Sequence, residues 1–314
     1  MSGKNVTEVV QADAAGIARA AHILESGGLV AVPTETVYGL AARADNAEAV
    51  ARIYAAKGRP DFNPLIVHVR DMEQAARFGA FSPTALALAA AHWPGPLTLV
   101  VPRRVDAGLV DAVTAGLPTI ALRAPAHPVM RALLAAAAFP LAAPSANRSS
   151  FISPTTAEHV LASLDGRIDL VLDGGACAAG VESTIVAVRG DGSITELRPG
   201  PLQIGAQAAA GANEAPIEAM IEAPGQLASH YAPGKPVRLN AEWGEPEEFL
   251  IGFGGIAGDC TLSTDGDINE AAARLYACLH EAANAPHPRI AIAPVPESGV
   301  GRAINDRLRR AAAD

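Results

Sequence analysis

Short apolar runs that alternate with stretches of helical period constrain this chain more than any other feature of it. LVAV at residues 29–32 follows a helical stretch in which Ile17, Ala20, Ala21 and Leu24 share one face and Gly27-Gly28 supplies the stop. Asp45 or Asn46 can cap the next helix, which carries Val50, Ile53 and Tyr54 on one side and ends at Lys57-Gly58 with Pro60 beyond. LIVHV, a helix opened by Ser82-Pro83, LTLVV, TIALR, HPVMRALLAAAA, PLAAP and SPTTAEHVLASL continue the alternation. DLVLD, STIVAV and ITEL close it as three strands in succession. Strands alternating with helices and then following one another specify an α/β chain with a mixed sheet, not a bundle or a sandwich.

A chain of 314 residues exceeds one compact core, so two domains are expected. The first ends near Gly205. Residues 206–235, rich in Ala, Pro and Gly and without a sustained period, read as a linker. VRL, EFLIGF, INEAAARLYACLHEAA, RIAIA and AINDRLRRAAA then form a smaller α/β domain over 236–314. The formal net charge of −9 argues against a general electrostatic grip on nucleic acid. Cys177, Cys260 and Cys278 show no CxxC or zinc-finger spacing and read as free thiols of a cytoplasmic protein. Residues 1–16 hold no apolar core of signal-peptide length, and no window approaches the ~18 apolar residues of a membrane span, so no membrane partner is expected.

The standard nucleotide motifs are absent. There is no GxxxxGK[ST], HExxH or GxSxG, and the relaxed GxGxxA at residues 252–257 is followed by AGDCTLSTDGD, which offers no helix N-terminus to a pyrophosphate. What remains is a scattered set of polar residues at strand ends, where open α/β sheets bind ligands. Lys57 there also complements a helix dipole, Arg59 reads equally as a solvated residue, and Asn63 before Pro64 is a natural turn residue. His68 inside LIVHV reads equally as a core histidine, and Ser145 and Asn147 as turn or capping residues. Arg123 at the end of an apolar strand is harder to dismiss, because a guanidinium there calls for a carboxylate or phosphate partner. In PTETVYGL, Pro33 is expected to end its strand so that the polar residues after it face a crevice. Thr34, Glu35 and Tyr38 are read as supports of that loop.

Taken in order, PTETVYGLAA, KGRPDFNPLIVHV, WPGPLTLV, ALRAPAHP, PSAN, GVESTIV and LRPGP resemble the threonylcarbamoyl-AMP synthase family over residues 8–205. PGQLASHYAP and the second α/β unit resemble the long form of that family. The resemblance implies a YrdC-like twisted mixed open sheet with flanking helices, plus a smaller Rossmann-like domain. It also implies an enzyme, a nucleotidyltransferase that makes threonylcarbamoyl-AMP and pyrophosphate from L-threonine, bicarbonate or CO2, and ATP. The product would pass to the downstream machinery that transfers the threonylcarbamoyl group to tRNA, without direct tRNA binding by this chain. Residue by residue, Lys57, Arg59, Asn63, Thr119, Ser145, Asn147, Arg198 and Tyr231 fall on ATP positions, with Lys57 and Arg59 central to catalysis. Thr36, His68, Arg123 and Ser183 fall on threonine positions. Mg²⁺ is implied as cofactor, held mainly by the ATP phosphates. The segment around Tyr231 would close over ATP as a lid, although Ala223-Pro224-Gly225-Gln226 stands where the family commonly has SPGM. The competing readings are an RNA-binding module and a carbamoyl-adenylate transferase domain of the hydrogenase-maturation type.

Overall fold

Each apolar run becomes a strand, in a computed structural model that describes residues 6–105, 107–204, 222–226 and 230–313. Most of the expected linker therefore lies outside the described residues. The first body runs β1 (Glu8–Gln11), α1 (Ala14–Glu25), β2 (Val30–Pro33), β3 (Tyr38–Arg43), α2 (Ala47–Lys57), β4 (Ile66–His68), α3 (Met72–Phe78), α4 (Pro83–His92) and β5 (Leu97–Pro102). It continues with α5 (Asp111–Thr114), β6 (Thr119–Arg123), α6 (Pro128–Ala136), β7 (Leu141–Ala142), α7 (Ala157–Leu164), β8 (Leu170–Asp173), β9 (Thr184–Val188) and β10 (Ile194–Arg198). The second body runs β11 (Val237–Arg238), β12 (Glu248–Gly252), β13 (Cys260–Thr261), α8 (Ile268–Asn284), β14 (Arg289–Ile292) and α9 (Gly301–Ala311).

The first body is a ten-stranded mixed sheet in the order β1-β8-β2-β3-β7-β4-β6-β5-β9-β10. Parallel pairing of β4 with β6 sets His68 directly beside Arg123, and parallel pairing of β5 with β9 sets Thr98 against Ile185. Alternation along the strands divides two faces. Leu65 and Val67 join the core that also takes Val50, Ile53 and Tyr38, while Ile66, Ala121 and Ile185 turn to the other face, where Ala223 packs on them. On that second face α1 and α6 cover β2 and β8, with Leu24, Met130 and Leu133 packed on Val30, Val32 and Leu172. The strands further along are left for the cavity described below.

The PTETVYGL segment corrects one expectation. Pro33 does not end the ladder: it pairs with Tyr38, and β2 continues into β3 as an antiparallel hairpin. Pro33 lacks only the N–H, and its carbonyl remains available for pairing. Thr34 closes the hairpin loop, its hydroxyl accepting from the Thr36 and Val37 N–H groups, and Tyr38 anchors it by donating to the Gly175 carbonyl at 2.8 Å. Asn46, not Asp45, caps α2 by accepting from the Ala49 N–H, and Asp45 pairs with Arg43. Gly58 closes α2 at φ +60, a left-handed position that suits glycine.

The second body is a four-stranded parallel sheet, β11-β14-β12-β13. Its GFGGIA segment is a turn in which a Cβ on Gly252 would lie 2.2 Å from the Ile256 carbonyl oxygen, so close backbone approach accounts for the glycine. Here a second expectation fails. Cys260 and Cys278 form a disulfide with Cα atoms 6.0 Å apart, and Cys177 is the free, buried cysteine. The pairing is invisible to spacing rules because the two cysteines, 18 residues apart, meet only through the packing of α8 on β13. The two bodies meet in one apolar cluster, where Val37, Ile152 and Val181 join Tyr276, Leu279 and Ile304. Among the described residues no helix is long and apolar enough to cross a membrane.

Candidate active site

Strand ends and loops of the first body converge on one cavity. It is lined by Thr34, Thr36, Val37 and Gly39 of the hairpin, Arg59, Ile66 and His68, Arg123, Ala143 to Ser145, Glu182, Ser183 and Arg198. Pro224, Gly225, His230 and Tyr231 complete the wall. The enclosed space is about 40 Å³, room for a few waters. Gly225 sits at φ +85, and a Cβ there would come within 3.0 Å of Arg198 Cδ and 3.1 Å of the Tyr231 hydroxyl. The Pro-Gly turn is thus pressed against two site residues.

Three arginines face this space and are 8% (Arg59), 4% (Arg123) and 4% (Arg198) exposed. Arg123 is fully engaged: Nη2 donates to Glu35 Oε1 at 2.6 Å, Nη1 to Thr36 Oγ1 at 3.0 Å, and Nε to the Gly95 carbonyl at 3.3 Å. Glu35 Oε2 accepts from the Ala126 and His127 N–H groups. Burial alone would raise the Glu35 pKa, but the Arg123 guanidinium holds it below the usual range. Arg59 and Arg198 differ. Among the described residues Arg59 donates only to the Asn63 and Pro64 carbonyls, and Arg198 only to the Ser183 carbonyl and hydroxyl and the Pro224 carbonyl. Burial lowers Arg59 to about 10, with Arg198 nearby adding to the effect, and burial lowers Arg198 as well. Two buried cations share one cavity, and among the described residues neither has a carboxylate at ion-pair distance.

Lys57, Asn63 and Asn147 form a layer behind this wall. Lys57 Nζ donates to the Ser145 and Asn147 carbonyls, both at 2.5 Å, and burial lowers its pKa well below the ordinary value. Asn147 Nδ2 donates to the Arg148 and Phe151 carbonyls. Among the described residues both amide atoms of Asn63 are buried without a partner, the mark of a group awaiting one. Burial pushes His68 down to about 3, so its ring is uncharged near neutral pH, and its Nδ1 has no partner among those residues. Ser183 Oγ lies 2.8 Å from Thr98 Oγ1. Thr119 stays apart, at the opposite end of β6 from Arg123 and paired with Pro102, about 13 Å away along the strand.

The comparisons decide the family. A family model described as "Telomere recombination", of the Sua5, YciO and YrdC group, matches residues 22–200. A second, described as the C-terminal domain of threonylcarbamoyl-AMP synthase, matches residues 193–313. A Bacillus subtilis protein named threonylcarbamoyl-AMP synthase is 39% identical, over 98% of this chain and 96% of its own length. The chain belongs to the threonylcarbamoyl-AMP synthase family. A Pyrococcus abyssi relative of the same name is 37% identical over 93% of this chain and 92% of its own. The crystal structure of P. abyssi Sua5 complexed with L-threonine superposes with a TM-score of 0.85 at 34% identity, covering 98% of this chain and 97% of that one. A full-length HypF structure, at 22% identity and a TM-score of 0.53, shares the fold alone over 59% of this chain.

Glu182 and His230 are site residues that the sequence did not single out, and Glu35, read there only as a support of its loop, is the partner of Arg123. Glu182 is adjacent to Ser183 in GVESTIV, and His230 adjacent to Tyr231 in HYAP, so their neighbours were the available signal. Among the described residues no group of three or more His, Cys, Asp or Glu can hold a metal ion. Glu182 in the cavity wall is paired with Arg307, and Glu35 behind the wall with Arg123.

Proposed function

We propose that this protein is an L-threonylcarbamoyladenylate synthase, which joins L-threonine, bicarbonate or CO2, and ATP for threonylcarbamoyladenosine formation in tRNA. The observation that carries the reading is the pair of buried arginines, Arg59 and Arg198, in one cavity, neither with a carboxylate at ion-pair distance among the described residues. Buried cations of this kind are stable partners for a polyanion. In the reaction the threonine amine bonds to the carbon of CO2 and releases a proton. A carbamate oxygen then bonds to the α-phosphorus of ATP as the bond to the departing pyrophosphate breaks. No protein nucleophile is needed; positioning and charge neutralisation suffice.

On this reading Arg59, Arg198 and the Lys57 layer receive the triphosphate, with Asn63, Ser145 and Asn147 beside it. Arg123 receives the threonine carboxylate, exchanging its contact to Thr36, because its planar fork matches two oxygens. His68 and Ser183 complete the threonine pocket, and an uncharged His68 adds a hydrogen-bonding ring without another cation. Glu182, the carboxylate of the cavity lining among the described residues, is held by Arg307, so Mg²⁺ would ride on the triphosphate and would neutralise phosphate charge there. A space of about 40 Å³ is too small for ATP, so the wall segment that carries Pro224, Gly225, His230 and Tyr231 would act as a lid that moves to admit it and then excludes water. We divide the chain at 1–205, 206–235 and 236–314, assign it to the cytoplasm, and assign transfer to tRNA to a downstream partner.

Incubation of the protein with ATP, Mg²⁺, L-threonine and bicarbonate should yield pyrophosphate and, by mass spectrometry, a threonylcarbamoyl adenylate. Absence of the adenylate together with tight tRNA binding would replace the enzyme reading with that of an RNA-binding module.

A further inference from the structure

Glu182 is a buried carboxylate in the wall of a cavity that otherwise gathers cations. Its Oε1 accepts from Ser153 Oγ at 2.6 Å and from the Tyr276 hydroxyl at 3.0 Å. Its Oε2 accepts from the Tyr276 hydroxyl at 2.8 Å and from Arg307 Nε at 3.0 Å. Tyr276 lies on α8 and Arg307 on α9, so the second body supplies most of what holds a residue of the first body's site. Arg307 reaches further still. Its Nη1 donates to the Pro199 carbonyl at 2.7 Å, next to Arg198, and to Asp306 Oδ2 at 2.9 Å, while its guanidinium carbon stands 5.5 Å from the Tyr231 ring centroid. One side chain of α9, itself 0% exposed, therefore touches the GVEST segment, the LRPGP segment and Tyr231.

We propose that Arg307, assisted by Tyr276, is a positioning residue for the reaction: it neutralises Glu182 so that the wall beside Ser183 and Arg198 accepts the triphosphate. The proposal rests on the synthase reading above. Without Arg307, a bare carboxylate would face the incoming polyanion, and the Ser183 and Arg198 contacts would lose their backing. The same logic explains a ring that spans two bodies, because only a complete chain supplies both the site and its neutralising cation.

The titratable groups facing Glu182 are Arg198 on β10, His230 and Tyr231 in the wall, Tyr276 on α8, and Arg307 and Asp306 on α9. Burial would raise the Glu182 pKa, but Arg307 first and then Arg198 and Ser153 hold it at about 2. Removing Arg307 leaves burial less opposed, so the carboxyl takes up a proton at higher pH.

Steady-state kinetics of the full-length protein test this. Arg307→Met should raise the KM for ATP about tenfold with a smaller change in kcat. Lowering the pH towards 6 should narrow that gap. Adding Glu182→Gln to Arg307→Met should return the KM for ATP to within about threefold of wild type, because the uncompensated charge is gone. A merely structural role predicts instead that Glu182→Gln restores the denaturant midpoint of Arg307→Met while the KM for ATP of the folded protein stays at the wild-type value in both variants. Tyr276→Phe, which keeps the packing, should raise the KM for ATP about two- to fivefold, and it decides the question if Arg307→Met fails to fold. An unchanged KM in Tyr276→Phe and Arg307→Met, or a defect that Glu182→Gln does not relieve, overturns the proposal. Wild-type protein assayed in parallel separates the two readings: no adenylate from wild type rejects the synthase, whereas an active wild type with indifferent variants rejects only the role of Arg307.

Discussion

Arg59 and Arg307 are both buried, and they are satisfied in different ways. Arg307, at the seam between the two bodies, has Glu182 and Asp306 at ion-pair distance, while its Nη2 is buried with no hydrogen-bond partner among the described residues. Arg59, in the cavity wall, has only carbonyl oxygens among the described residues, and a second cation without a carboxylate at ion-pair distance there, Arg198, shares its space. A buried ion pair meets charge with charge and holds elements together, whereas buried like charges without carboxylates beside them are tolerated only because the surrounding fold holds them. The contrast separates what fastens the molecule from what waits for substrate.

The largest expected effect lies at the seam. Arg307→Met should cost about 3–5 kcal/mol in a denaturant titration, because it strands Glu182 in a buried position. A loss under 1 kcal/mol would show that the seam charge is solvated, and the contrast with Arg59 would disappear. Arg59→Met should do the reverse: turnover falls about 10²–10³-fold, by analogy with the loss of one charge-stabilising donor, while the melting temperature stays level or rises. Destabilisation of Arg59→Met as severe as that of Arg307→Met would make both structural.

Acid should act on the seam in two stages. Burial holds His230 at about 3, and burial with His159 beside it holds His280 at about 4. Below pH 6.5 the unfolded chain therefore takes up protons that these folded rings refuse, and stability falls as pH falls. Glu182, at about 2 in the fold against 4.5 in the unfolded chain, adds its own loss as pH drops from 4.5 towards 2. Buried His68 in the cavity contributes in the same direction, so replacing both His230 and His280 by Gln should flatten the profile between pH 6.5 and 4.5 more than His68→Gln does. A profile equally steep in both would place the acid-sensitive groups elsewhere. The smallest effect sharpens the comparison by separating charge from helix placement. Asn46→Ala removes the cap of α2, whose other end carries Lys57, and should cost about 1 kcal/mol with turnover unchanged. A turnover loss matching that of Arg59→Met would mean that helix position, not cationic charge, limits the site.

Much of the fold was legible because apolar runs such as LIVHV and TIALR are buried on both faces and cannot read as anything but strand. The hairpin was missed because YGLAAR lacks a β-branched run and Pro33 suggested a stop, yet Pro33 sits where only its carbonyl is needed. Arg123 was legible as a charged residue closing an apolar strand. Glu35 as its partner was not, since the two are 88 residues apart and meet only when β6 lies near the hairpin. Arg307 was the hardest to read. In NDRLRRA it has the look of a solvated helical face, and the amphipathic pattern does not say that one arginine of three turns inward to Glu182, 125 residues away. Thr119 illustrates the converse: its ATP role is implied by family position alone, and strand register sets it at the other end of β6 from Arg123.

The most direct test of the account is a crystal structure of the protein with a non-hydrolysable ATP analogue and L-threonine bound. The account predicts phosphate oxygens within hydrogen-bond distance of Arg59 and Arg198, the threonine carboxylate on Arg123, and Glu182 still held by Arg307. A triphosphate bound away from both Arg59 and Arg198 would contradict it.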